Sequence, residues 1–220
     1  VVAIAGGGSL LHAPDVYMDK IAVGPGYPEG VVDLDRSPSE NIAAIAAAKG
    51  VGVEEITACI LDRPRHAKLI EEVRATGAAV RLIGDGDVAG VIDVTDPDTT
   101  GIDIYLGIGG APEGVLAAAA LCCTGGQMQG RLVTQSESQK ARALRMGVTD
   151  FDKKYTHHEM VRGEVLFAAT GVTDGNMLNG VRFARDGRIT TETLVMRSSK
   201  GTIRFIKATH RELEKFAAES

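Results

Sequence analysis

The chain has 220 residues, room for one large domain or two small ones, with 44% hydrophobic and 24% charged residues. Its formal net charge of −5 argues against a general nucleic-acid binder, which carries a basic stripe, yet leaves room for a few arginines to hold a small anion. The longest apolar run, Val115 to Cys123, falls short of the roughly 20 residues a membrane helix needs.

With no tryptophan and 4% aromatics, the core must be aliphatic and alanine-rich. The start, VVAIAGGGS, has neither an initiating Met nor a basic signal region, and the expectation is a chain whose natural N-terminal part is not represented. Cys59, Cys122 and Cys123 are odd in number and lack metal-ligand spacing, so a reduced, cytoplasmic setting is expected.

In chain order, VVAIA reads as a strand followed by a glycine turn, then LLHAPDVYMDKIAVGPG and a loop, GYPEGVVDLDRS. Ser37, Pro38 and Glu40 spell a capping box and open a helix that stops at Gly50. ITACIL is a buried strand ending in DRPRH. A helix with Leu69, Ile70 and Val73 on one face follows and stops at Gly77. AAVRLI is a strand ending in GDGD; VAGVIDVT reads as a short helix, IDIYLGIGG as a strand and PEGVLAAAALCC as a helix. GQMQGRLV is a strand and SESQKARALRMG an amphipathic helix. From Gly163 the pattern changes to strands, EVLFAATGV, VRFARDGRITTETLVMRS and TIRFIKAT, with a hairpin signal at Asp186-Gly187 and a closing helix, RELEKFAAE. Alternating strands and helices over 51–145 predict parallel α/β units, and the later strands antiparallel additions. The expected organisation is one α/β unit, alternating over 1–150 and mainly strands over 151–220.

Four polar groups stand at strand ends: DRPRH, DGD, GGAPEG and TGVTDGN. Ligands of open α/β sheets bind at the carboxyl ends of strands. If Arg63-Pro64-Arg65 is extended, both guanidiniums face one way and can grip one phosphate; the plainer alternative is a surface Asp62–Arg63 pair. Asp85 and Asp87, on either side of Gly86, can bind sugar hydroxyls or a cation, or else form a turn and an N-cap. Glu113 can satisfy a helix dipole, or ligate Mg²⁺ or Mn²⁺ from a glycine-rich turn. Tyr17 and Lys20 suit a sugar and a phosphate, or half-buried scaffold. Adjacent His157 and His158 point different ways on regular structure, Asp174 suits a turn, and Lys200-Gly201 a hairpin.

YMDKIAVGPG, ILDRPRH, IGDGDVAG, GIGGAPEGVLAAAAL, GGQMQGRL, ATGVTDG and TLVMRSSKGTIRFI, in that order, closely resemble class II fructose-1,6-bisphosphatase, whose cyanobacterial relatives also act on sedoheptulose 1,7-bisphosphate. The resemblance runs along essentially the whole chain. It implies the layered αβαβα sandwich of the lithium-sensitive sugar phosphatases. It also implies Mg²⁺- or Mn²⁺-dependent hydrolysis of the 1-phosphate of fructose 1,6-bisphosphate. By the same resemblance Tyr17 contacts substrate, Arg63, Pro64 and Arg65 hold the phosphate that is not cleaved, and Asp85, Gly86 and Asp87 bind the sugar. Gly110 is then a backbone contact to substrate and Glu113 a catalytic metal ligand. A homo-oligomer, dimer or tetramer, is expected, with neither nucleic acid nor membrane as partner. The family's N-terminal DP-x-EGT-type motif, with most metal-ligand carboxylates, has no counterpart in these residues. An inositol-monophosphatase-like enzyme, a non-catalytic sugar-phosphate-binding fragment and a subunit-interface module remain alternatives.

Overall fold

The computed structural model describes residues 1–211. Its elements begin with β1 (Val2–Ala5), β2 (Tyr17–Val23), α1 (Pro38–Lys49), β3 (Thr57–Leu61), α2 (Ala67–Ala75) and β4 (Ala79–Ile83). Next come α3 (Asp87–Asp93), α4 (Pro97–Thr100), β5 (Ile104–Gly110), α5 (Ala111–Thr124), β6 (Gln127–Val133) and α6 (Glu137–Arg145). The chain continues through β7 (Lys154–Thr156), α7 (His157–Met160), β8 (Val165–Thr170), β9 (Arg182–Phe183), β10 (Ile189–Arg197) and β11 (Thr202–His210). The helix expected over RELEKFAAE falls almost wholly outside the described residues.

α1 begins where its sequence says. Glu40 N–H donates to Ser37 Oγ at 3.2 Å, and Ser37 N–H donates to the Glu40 carboxylate at 2.8 Å. It ends at Gly50, whose φ of 73° needs no Cβ.

The larger sheet has six strands in the order β4-β3-β5-β2-β6-β7. β3 is parallel to β4 and β5, as alternation predicted. β2, however, enters between β5 and β6 and runs antiparallel to both, and β7 is antiparallel to β6, so the sheet is mixed rather than parallel throughout. Residue Ile21 faces Leu106 on one neighbour and Gln129 on the other. The smaller sheet runs β1-β8-β10-β11, with β9 on β10, all antiparallel. Its first strand comes from the N-terminal end of the chain, so the two sheets do not divide at residue 150.

One face of the larger sheet packs on α1 and α2 through Ile21, Ile42, Ile45, Ile60, Ile70, Val73 and Leu106. The other face meets α5, which also packs against β8 and β10 of the smaller sheet. A helix covered on both sides needs apolar residues all round, and its run of Ala117 to Leu121 is fully buried. The described layers are therefore helices, mixed sheet, helices and antiparallel sheet. Val2, Ile4, Leu166 and Ile206 share the far face of the smaller sheet and are exposed.

Candidate functional site

Because β3, β4 and β5 are parallel, their carboxyl ends share one edge of the sheet. β2 runs the other way, so its first residue, Tyr17, lies beside Gly110 at that same edge. Tyr17, the Arg63–Arg65 segment, Asp85–Asp87, Gly110 and Glu113 thus stand on loops and helix starts along one rim.

Arg65 is tightly held there. Its Nε and Nη2 donate to the Ile108 carbonyl at 3.0 and 2.7 Å, and its guanidinium lies 4.9 Å from the centre of the Tyr17 ring. Two of its five N–H donors are used, leaving three for an anion. The backbone of Ile108 is fixed from its other side by His66, which is 1% exposed. His66 Nε2 accepts the Ile108 N–H at 2.8 Å. Its Nδ1 is 2.7 Å from the Leu61 carbonyl and so carries the proton. The neutral ring is reinforced by burial, which pushes its pKa down.

The arginine pair departs from expectation. Pro64–His66 is a 3-10 turn with Arg63 at its cap, not an extended segment, because the chain must bend at once into α2. Arg63 donates to the neighbouring Asp62 carbonyl at 2.8 Å, whereas Arg65 reaches Ile108. The two aspartates also part company. Gly86 adopts a left-handed φ of 74°, which breaks the alternation that would have aligned them. Asp85 is exposed on the wall of a cavity of about 360 Å³ shared with Thr173, Asp174 and Asn176. Asp87 starts α3, is buried, and is ion-paired to Lys20.

Lys20 is neither a phosphate ligand at the surface nor half-buried: it is 1% exposed. Its Nζ donates to Asp87 Oδ2 and, at 3.2 Å, to the Gly110 carbonyl. Glu113 lies in the first turn of α5, exposed and with no hydrogen-bonding partner among the described residues. A Cβ on Gly110 would stand 1.9 Å from Glu113 Oε2, so the carboxylate folds back over the bare glycine. Among the described residues no group of three or more His, Cys, Asp or Glu can hold a metal ion.

Residue-by-residue reading missed His66 and the buried pairing of Lys20, whose partners are 42 and 67 residues away. Asp19, on β2, was also missed: burial raises its carboxyl pKa, opposed by a hydrogen bond from the Lys20 backbone and by Arg131. Away from the rim, Asp174 is a turn residue, accepting the Gly180 N–H at 2.9 Å and pairing with Arg182. His157 and His158 do not point apart; their ring centres are 4.0 Å apart at the start of α7. Burial, then His158, lowers the His157 pKa to about 4. The cysteines are free, with thiols pushed up by burial to about 12 for Cys59 and about 11 for Cys122 and Cys123.

Residues 1–210 match the family described as bacterial fructose-1,6-bisphosphatase, glpX-encoded. A protein of Synechococcus sp. (strain JA-3-3Ab), named D-fructose 1,6-bisphosphatase class 2/sedoheptulose 1,7-bisphosphatase, is 44% identical over 223 residues, 96% of this chain and 63% of the relative. Proteins of the same name from Synechococcus sp. (strain JA-2-3B'a(2-13)) and Crocosphaera subtropica are each 43% identical over 96% of the chain. The chain therefore spans 63% to 64% of the length of these relatives.

Proposed function

This chain belongs to the bacterial fructose-1,6-bisphosphatase family, and from that premise we propose that it is the substrate-holding part of a sugar bisphosphatase. The whole protein removes the 1-phosphate of fructose 1,6-bisphosphate, giving fructose 6-phosphate and phosphate, and acts likewise on sedoheptulose 1,7-bisphosphate. The observation that carries this reading is the convergence of Tyr17, Arg65, Asp87, Gly110 and Glu113 at one sheet edge, in a chain that matches the family almost end to end.

Each residue has a task in this scheme. Arg65, braced by Ile108 and stacked on Tyr17, grips the phosphate that stays, with Arg63 and Pro64 completing that end. The energy of that remote contact positions the reacting end. Asp85, Gly86 and Asp87 hold the sugar. Glu113 supplies one oxygen ligand to Mg²⁺ or Mn²⁺, and residues outside this chain supply the rest. The bound metal lowers the pKa of water and neutralises phosphate charge.

The test uses the protein at the full length of its relatives. Arg65→Ala raises KM by about ten- to a hundredfold, as loss of a charged hydrogen bond requires. Glu113→Ala lowers kcat more than it raises KM. Equal, mild effects from both refute this division of labour. A second reading, a sugar-phosphate-binding piece without turnover, is favoured for this chain alone because no cluster that could hold a metal ion is found among its described residues. Robust phosphate release from this 23.1 kDa chain by itself refutes that second reading.

The αβαβα sandwich is likewise our proposal for the whole protein. Exposed Val2, Ile4, Leu166 and Ile206 support a further helical layer on the smaller sheet. Assembly as a dimer or tetramer is tested by light scattering. The three free cysteines support a reducing, cytoplasmic setting.

A further inference from the structure

We propose that Lys20 is a positioning residue of the sugar site, acting through Asp87 and the Gly110 carbonyl; the inference rests on the bisphosphatase reading above. Lys20 sits in the middle of β2 and is 1% exposed, so it cannot meet substrate itself. A buried ammonium has three N–H donors to satisfy. One goes to Asp87 Oδ2 on α3 and one, at 3.2 Å, to the Gly110 carbonyl at the junction of β5 and α5. The side chain thus ties together three elements that each carry part of the rim.

The pairing is one-sided in a useful way. Lys20 engages Oδ2 of Asp87, and Oδ1 has no hydrogen-bonding partner among the described residues. The ammonium fixes the plane of the carboxylate through Oδ2, leaving Oδ1 to accept from a sugar hydroxyl. The pair is packed against bare glycine backbone. A Cβ on Gly109 would lie 2.2 Å from Asp87 Oδ2 and 2.8 Å from Lys20 Nζ, and one on Gly114 3.5 Å from Lys20 Cδ. The absence of a side chain at Gly109 is therefore what leaves room for the pair.

The experiment is a double-mutant cycle in the protein at the length of its relatives: Lys20→Met, Asp87→Asn and both together, with KM, kcat and the thermal midpoint measured for each. Lys20→Met should raise KM for fructose 1,6-bisphosphate by about ten- to a hundredfold with a much smaller change in kcat. In the Asp87→Asn background the same substitution should change KM by less than about twofold, because the residue it acts through is already gone. A folded Lys20→Met protein with unchanged KM overturns the proposal, and so does a KM penalty that persists undiminished beside Asp87→Asn. If Lys20→Met alone does not fold, the neutral double variant against Asp87→Asn decides: equal KM supports the proposal, a KM raised more than about fivefold overturns it. An unsubstituted protein that releases no phosphate from the sugar bisphosphate refutes the bisphosphatase reading instead, and thermal midpoints of the four proteins still report whether the pair is coupled.

Discussion

Gly109→Ala places a methyl group where the buried ion pair stands. The new Cβ would be 2.2 Å from Asp87 Oδ2, about 1.2 Å short of the 3.4 Å at which ordinary contact begins, and 2.8 Å from Lys20 Nζ. Lys20, 1% exposed, cannot swing into water to make room, and Asp87 can move aside only by leaving it. The pair must part, and parting leaves a lysine and a carboxylate desolvated and uncompensated. Breaking a buried pair costs about 3–5 kcal/mol, which for a chain of this size lowers the thermal midpoint by about 6–20 °C. Thermal unfolding followed by far-UV circular dichroism measures it. Gly84→Ala is the control: it lies at the same rim, and a Cβ there meets nothing within 4 Å. The backbone at Gly109 does not require a left-handed φ, so strain cannot stand in for the clash. A Gly109→Ala midpoint within about 2 °C of the unsubstituted protein refutes the reasoning, because it means that the pair contributes under about 1 kcal/mol.

The sequence carried the local signals well. Ser37, Pro38 and Glu40 predicted the start of α1, and Gly50 its end, because a capping box and a left-handed cap are decided within a few residues. The two hairpins at Asp186-Gly187 and Lys200-Gly201 were legible for the same reason; Gly187 and Gly201 have φ of 81° and 55°. β2 was not assigned as a strand. YMDKIAV carries Asp19 and Lys20 in its middle, and only α3, far along the chain, makes a buried lysine tolerable there. With β2 unassigned, the insertion of an antiparallel strand into the parallel set was invisible too. The rim itself was legible from the rule that ligands sit at strand ends. Its geometry was not: the direction of Arg65 depends on the Ile108 carbonyl, 43 residues away, and that of Asp87 on the left-handed turn at Gly86.

The remaining predictions use independent readouts. His66 is neutral when folded and its pKa lies below the 6.5 of the unfolded chain, with Arg65 opposing protonation and Asp19 favouring it. The unfolded state therefore binds the proton more readily: the contribution is present above about pH 6.5 and is lost as pH falls below that. Asp93, raised by burial to about 6, acts the other way over the same range, so the test is a difference: from about pH 7 down to about pH 5 the midpoint of His66→Gln should fall less, or rise more, than that of the unsubstituted protein, and identical slopes refute the assignment. His157, lowered to about 4, acts in the same direction as His66 and is unchanged in the variant. Ser37→Ala removes the acceptor of the Glu40 N–H and should cost about 1 kcal/mol, or about 2–4 °C by the same unfolding assay. No change would mean that Glu40 does not need its cap. Gly110→Ala tests whether the glycines of β5 do different jobs. A Cβ at Gly107 would touch the His66 ring at 3.2 Å, one at Gly109 the ion pair, and one at Gly110 the Glu113 carboxylate at 1.9 Å. Unlike the ion pair, Glu113 is exposed and on a flexible stem, so it can move aside into water. Gly110 has φ −63° and ψ 143°, which alanine adopts without strain, so losing glycine at this N-cap costs about 1 kcal/mol or less. In the protein at the length of its relatives, Gly110→Ala should therefore lower kcat while leaving the thermal midpoint within about 4 °C, the reverse of the stability loss at Gly109. Unchanged kcat would mean that the carboxylate does not work from its position over Gly110. A midpoint that falls as far as that of Gly109→Ala would mean that the glycine supports the fold rather than the placement of Glu113.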